Sequence, residues 1–96
     1  MQRCYLVCYD IHSPARWRRV YRIMKGYGEP WQLSVFFCVL KDIDKVRLRS
    51  DLEKVMNLKE DQLLIVRLEM DEEHSREATV VIGQALPELE SGTVVI

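Results

Sequence analysis

Long apolar runs are missing from this 96-residue sequence. None approaches the ~20 residues that a membrane-spanning helix needs, so no membrane partner is expected. The opening MQRCYLVCYD sets Arg3 before an apolar stretch, but Tyr, Cys and Asp interrupt it and no small-residue cleavage pattern follows. No signal peptide is expected, and a soluble cytoplasmic protein is. Also lacking are a Gly-rich phosphate loop, a catalytic triad and a zinc signature. Cysteine is scarce: Cys4, Cys8 and Cys38 are an odd set at spacings that match no metal or haem motif. On one strand Cys4 and Cys8 would lie roughly 13 Å apart, too far for a disulfide or a shared metal. All three are read as small buried hydrophobes. Acidic residues are absent from Ile11 to Gly28, where Arg16, Arg18, Arg19, Arg22 and Lys25 accumulate.

What is present fits one small domain, residues 1–96, with a core over about 3–70. Residues 1–49 hold ten Lys and Arg against four Asp and Glu (+6), and residues 50–96 hold four against eleven (−7). Such asymmetry marks either a polyanion-binding face or two halves that pair with each other. Residues 3–11 are apolar on both faces, as in a strand covered on both sides. Ser13 and Pro14 supply the cap and first turn of a helix that carries Trp17, Val20, Met24 and Tyr27 at helical spacing. Gly26, Gly28 and Pro30 end it. Residues 31–40 are one bent strand or two. A second helix follows Asp42 to about Asn57, with Leu48, Leu52 and Val55 inside, and residues 61–70 form the next strand. DEEHSRE, residues 71–77, reads as an exposed loop, and TVVIG (79–83) and TVVI (93–96) as short strands.

This order predicts an α+β fold, a ferredoxin-like βαββαβ sandwich with extra C-terminal β segments. Its helices cover one sheet face, and the other is apolar too. A homodimer with sheets face to face would cover it, and the spare β segments could pair with the partner's sheet edge.

Asp10 ends the first strand, YLVCYDI. Helix capping, an ion pair with a first-helix arginine, and plain exposure are three structural explanations. The fourth is a Mg²⁺ ligand, since this ion takes one or two carboxylates plus waters and phosphate oxygens. A two-fold axis near the strand end would bring two copies of Asp10 to one site. The basic residues of the first helix would then face phosphates, because Arg forks bind them bidentately. His12 reads as a loop side chain, and His74 is assigned no role.

The strand ending in YDI, the Arg18-Arg19-Val20 run, a glycine, Gln32 with Ser34-Val35-Phe36, and Asp61 before QLLIVRL resemble the Cas-two family of small CRISPR-associated proteins. The resemblance spans residues 3 to about 70. It implies a ferredoxin-like homodimer of the spacer-acquisition machinery, with Mg²⁺ or another divalent cation held by Asp10 of both subunits. By position Tyr9 and Asp10 match the family's strand-end catalytic pair, and Ser34 and Phe36 its structural core near the site. Arg16, Arg18, Arg19 and Arg22 are the candidates for nucleic-acid contact, with Arg18 or Arg19 matching the family's helix arginines. Some members are metal-dependent endonucleases on RNA or duplex DNA. Others are non-catalytic adaptors that bridge Cas-one family integrase dimers and bind protospacer DNA. The sequence departs from the family at Pro30-Trp31, where many members carry a basic residue, and at Phe37, where Glu is common.

Overall fold

The computed structural model describes residues 1–87. Four strands and three helices follow in the order β1 (Gln2–Asp10), α1 (Pro14–Lys25), β2 (Glu29–Gln32), β3 (Val35–Lys41), α2 (Asp42–Val55), β4 (Gln62–Leu68) and α3 (Glu72–Glu77). The first six elements are the expected βαββαβ series. They form a four-stranded sheet in the order β2-β3-β1-β4. Both neighbours of β1 run antiparallel to it, Cys8 lying opposite Val35 on β3 and Leu64 on β4.

Local chemistry sets the first helix. The Ser13 side chain accepts from the backbone N–H of Arg16 at 3.3 Å, and Pro14 occupies the first turn. Val20 and Met24 point inward and are fully buried. Leu48 and Leu52 of α2 join them against Tyr5, Val7, Tyr9, Phe36, Cys38 and Leu40 of the sheet. Burial pushes the Cys38 thiol up to about 12, and all three cysteines are free. Residues 31–40 belong to two strands, β2 and β3, because the chain reverses between Gln32 and Val35. Gly28, just before β2, is required by close approach: a Cβ there would collide with the Cys38 Sγ and come within 2.6 Å of the Phe37 carbonyl oxygen.

One expectation fails. DEEHSRE is a helix rather than an exposed loop: Asp71 caps α3 by accepting from the His74 N–H at 2.8 Å, and Ser75 is buried against β1. Arg76 anchors it from the other side, bonding Glu72 one turn back at 2.8 Å and Glu29 of β2 at 3.1 Å. TVVIG, residues 79–83, is not a strand in this chain, and Val80 and Ile82 stand 81% and 94% exposed. Both edges of the chain's own sheet, β2 and β4, are left unpaired by this segment. The expected TVVI strand lies outside the described residues.

The sheet face opposite α1 and α2 is apolar in register. Its rows are Leu68-Cys4-Val39, Val66-Leu6-Phe37 and Leu64-Cys8-Val35. α3 and Trp31 cover the Cys4 and Phe37 part, leaving Leu64 and Val66 about half exposed. An open cleft of about 1490 Å³ lies over this face, bounded by Leu6, Val35 and Val39 on the sheet and Val81 and Leu86 beyond α3.

Candidate metal site and nucleic-acid face

Strand alternation separates the two residues expected to act together. Tyr5, Val7 and Tyr9 face the helices, so Cys4, Leu6, Cys8 and Asp10 face the other way. Asp10 therefore stands at the end of the apolar face that no helix of the sandwich covers. Its side chain is 73% exposed. Among the described residues its ion-pair partner is His12, with Nε2 at 3.4 Å from Oδ2 of Asp10.

Tyr9, in contrast, is built into the core at 7% exposure. Its hydroxyl donates to the Leu33 carbonyl at 2.8 Å, and its N–H donates to the Ser34 carbonyl at 3.0 Å. Burial raises its pKa well above the ordinary phenol value. The ring stacks on Phe36 at 6.3 Å. Ser34 also accepts from Trp17 Nε1 on α1 at 3.2 Å. Tyr9, Ser34 and Phe36 thus tie the β2-β3 turn and helix α1 to the strand end beside Asp10.

Two structural explanations of Asp10 lose their basis here. Ser13 provides the cap of α1, and among the described residues no first-helix arginine pairs with Asp10. Arg16 donates through Nε to Asp61 Oδ2 at 2.8 Å and through Nη2 to Asp61 Oδ1 at 3.2 Å, and further to Glu60 at 3.0 Å. Asp61 is the residue that sequence reasoning undervalued. Its carboxylate is fully buried and also accepts the backbone N–H groups of His12 and Asn57, each at 2.9 Å. The Arg16 guanidinium, followed by these two amides, holds its pKa well below the usual carboxylate range. One step along the chain, Gln62 pairs with Asp10 in the sheet. The only local signal for this role is the Glu60-Asp61 carboxylate pair immediately before an apolar strand, and Arg16 and His12 lie 45 and 49 residues away.

The arginines divide accordingly. Arg16 is partly buried in the Asp61 clamp, whereas Arg18, Arg19 and Arg22 are exposed, and no carboxylate among the described residues pairs with them. Lys25 leans over the Tyr21 ring at 5.9 Å. His74 makes a 2.7 Å contact to its capping Asp71, which raises its pKa through that bond. Among the described residues no group of three or more His, Cys, Asp or Glu side chains could hold a metal within one chain. The exposed Asp10 carboxylate is an oxygen donor of the kind that Mg²⁺ takes together with water and phosphate oxygens. No helix among the described residues is long and apolar enough to cross a membrane.

A ferredoxin-like sheet with one apolar face left partly open, an exposed carboxylate at the end of that face and a basic helix beside it define a small α+β protein of the ferredoxin-like class. A family model described as CRISPR associated protein Cas2 matches residues 3–76. The chain is 37% identical over 95 residues to the CRISPR-associated endoribonuclease Cas2 1 of Rhodospirillum rubrum, covering 99% of this chain and 92% of that one. It is 40% identical over 68 residues to the CRISPR-associated endoribonuclease Cas2 of Geobacter sulfurreducens, covering 71% and 72%. The crystal structure of Streptococcus pyogenes Cas2 superposes with a TM-score of 0.72 at 25% identity, covering 83% of this chain and 99% of that one. The chain belongs to the CRISPR-associated Cas2 family, as its sequence motifs suggested. At the level of the family its role lies in CRISPR adaptation.

Proposed function

We propose that the protein works as a face-to-face homodimer that binds nucleic acid and hydrolyses phosphodiester bonds at a divalent-metal site formed by Asp10 of both subunits. The observation that carries this reading is the facing of Asp10: it closes the row Cys4-Leu6-Cys8 on the apolar face that a partner would cover. Burying that face against a second copy draws the two carboxylates toward each other and supplies the second ligand that a single chain lacks. Mg²⁺ held there would neutralise phosphate charge and lower the pKa of a bound water. Within the chain, Asp10 presents the carboxylate, Tyr9, Ser34 and Phe36 hold the strand end, and Asp61 with Arg16 fixes the loop after it. Arg18, Arg19 and Arg22 offer free guanidinium groups to the phosphate backbone. RNA is the first substrate to try, because the relatives from Rhodospirillum rubrum and Geobacter sulfurreducens are named endoribonucleases.

One observation favours a second reading. A single ligating carboxylate per chain, with no metal-binding group of three among the described residues, suits an adaptor that holds a DNA duplex between Cas-one family integrase dimers and cleaves nothing. A nuclease assay on RNA and duplex DNA, with and without Mg²⁺, separates the two. Metal-dependent cleavage by the wild type and none by Asp10→Asn supports the enzyme. Absence of cleavage by both proteins, with duplex binding intact in both, supports the adaptor.

A further inference from the structure

The loop after β1 holds a second candidate ligand. His12 Nε2 lies 3.4 Å from Asp10 Oδ2, longer than a normal N–H···O hydrogen bond, so the two atoms face each other without a close bond between them. The chain's other histidine behaves differently: His74 Nδ1 sits 2.7 Å from the carboxylate of Asp71, a short contact within a helix cap. The His12 backbone is also fixed. Its N–H donates at 2.9 Å to the fully buried Asp61 carboxylate, itself clamped by Arg16 at 2.8 Å. Asp10, for its part, is set by its sheet pairing with Gln62, the neighbour of Asp61. The buried Asp61 carboxylate thus anchors the backbone of His12 and the sheet ladder that of Asp10, while both side chains remain open to solvent.

We propose that His12 is a second metal ligand beside Asp10, so that each chain contributes one nitrogen and one oxygen donor to a site suited to a first-row transition-metal dication in preference to Mg²⁺. An isolated carboxylate suits Mg²⁺, Ca²⁺ and Mn²⁺, whereas an imidazole favours the later divalent ions, whose affinity for nitrogen rises along the series from Mn²⁺ to Cu²⁺. The inference rests on the Asp10 reading and deepens it by naming the class of cation.

Isothermal titration of the full chain with Co²⁺ and, separately, with Mg²⁺ tests it without relying on turnover. Both side chains are more than half exposed, so the variants are expected to fold, and circular dichroism melts check this. Removing the imidazole in His12→Ala is expected to weaken Co²⁺ binding on the order of tenfold or more, in the range that removal of a supporting group at a metal site gives. Mg²⁺ binding to that variant should change by less than about twofold, since Mg²⁺ is held by oxygens. Asp10→Asn should weaken both ions, and His74→Ala neither. Unchanged Co²⁺ affinity in His12→Ala, or an equal loss in His74→Ala, overturns the assignment of His12. Unchanged Mg²⁺ affinity in Asp10→Asn overturns the Asp10 reading beneath it, so the two failures are told apart by different arms.

Discussion

Trp31 lies flat on Phe37, with ring centroids 4.7 Å apart and planes 7° from parallel. By the sequence resemblance, Pro30-Trp31 and Phe37 are two departures from the residues expected of the family, and the structure places the Trp31 and Phe37 side chains against each other. An aromatic stack stands on the sheet face opposite α1 and α2. Arg76 caps it, 5.0 Å from the Phe37 ring, and Glu29 joins Trp31 Nε1 at 3.1 Å. Truncating Phe37, which is 1% exposed, to Ala is expected to cost about 3–5 kcal/mol. A double-mutant cycle with Trp31→Ala, read by chemical denaturation, should show a coupling of about 0.5–1.5 kcal/mol. Strict additivity would mean that the rings are neighbours without mutual stabilisation.

The Asp61 clamp gives the protein a defined response to acid. The folded-state pKa of Asp61 is depressed below the ordinary 3.8, so its contribution is fully present above that value and is lost as pH falls through the folded pKa. Melting temperature should therefore drop as pH falls below about 4, and Asp61→Asn should be destabilised at neutral pH and lack this part of the slope. A variant with the same acid slope as the wild type would assign that slope to other carboxylates.

Helix α1 separates structural from binding arginines. Arg16→Ala breaks the Asp61 clamp and should lower the melting temperature. Alanine at exposed Arg18, Arg19 or Arg22 should leave stability within about 0.5 kcal/mol. Removing a guanidinium that grips phosphate should weaken nucleic-acid binding across all sequences and reduce the salt slope by about one. Binding that is indifferent to salt and to all three substitutions would exclude this helix.

Dimerisation through the open sheet face is tested by charge. Val66 is 45% exposed in the single chain, so Val66→Lys should leave the protomer folded while setting two ammonium groups into the proposed interface. Sedimentation should then show a monomer where the wild type, of 11.4 kDa per chain, is expected to sediment as a dimer. A variant that still sediments as the dimer would place the interface elsewhere.

Local chemistry was the legible part of the fold. Ser13-Pro14 announces α1 because capping and the missing proline donor act within four residues, and Leu48 with Leu52 betrays the inner face of α2 by spacing alone. Helix α3 was not legible, because EEHSRE carries no apolar period. It is held by the Asp71 cap and by an arginine that reaches Glu29, 47 residues away. TVVIG reads as a strand from its β-branched residues, yet a strand exists only with an edge to pair, and that is not a property of five residues. Asp10 was visible as a carboxylate closing an apolar strand. The clamp that fixes its surroundings was not, since Arg16 and Asp61 are 45 residues apart and each is ordinary in its own neighbourhood.

The claim that Asp10 belongs to a metal site is tested most directly by melting wild type and Asp10→Asn with and without millimolar Mg²⁺. Because the cation would bind the folded dimer and not the unfolded chain, a hundredfold excess over Kd should stabilise the wild type by about 2.7 kcal/mol. The same Mg²⁺ should leave the melting temperature of Asp10→Asn nearly unchanged. Equal Mg²⁺ responses in the two proteins, or none in the wild type, would contradict the metal site and leave Asp10 as an exposed strand end.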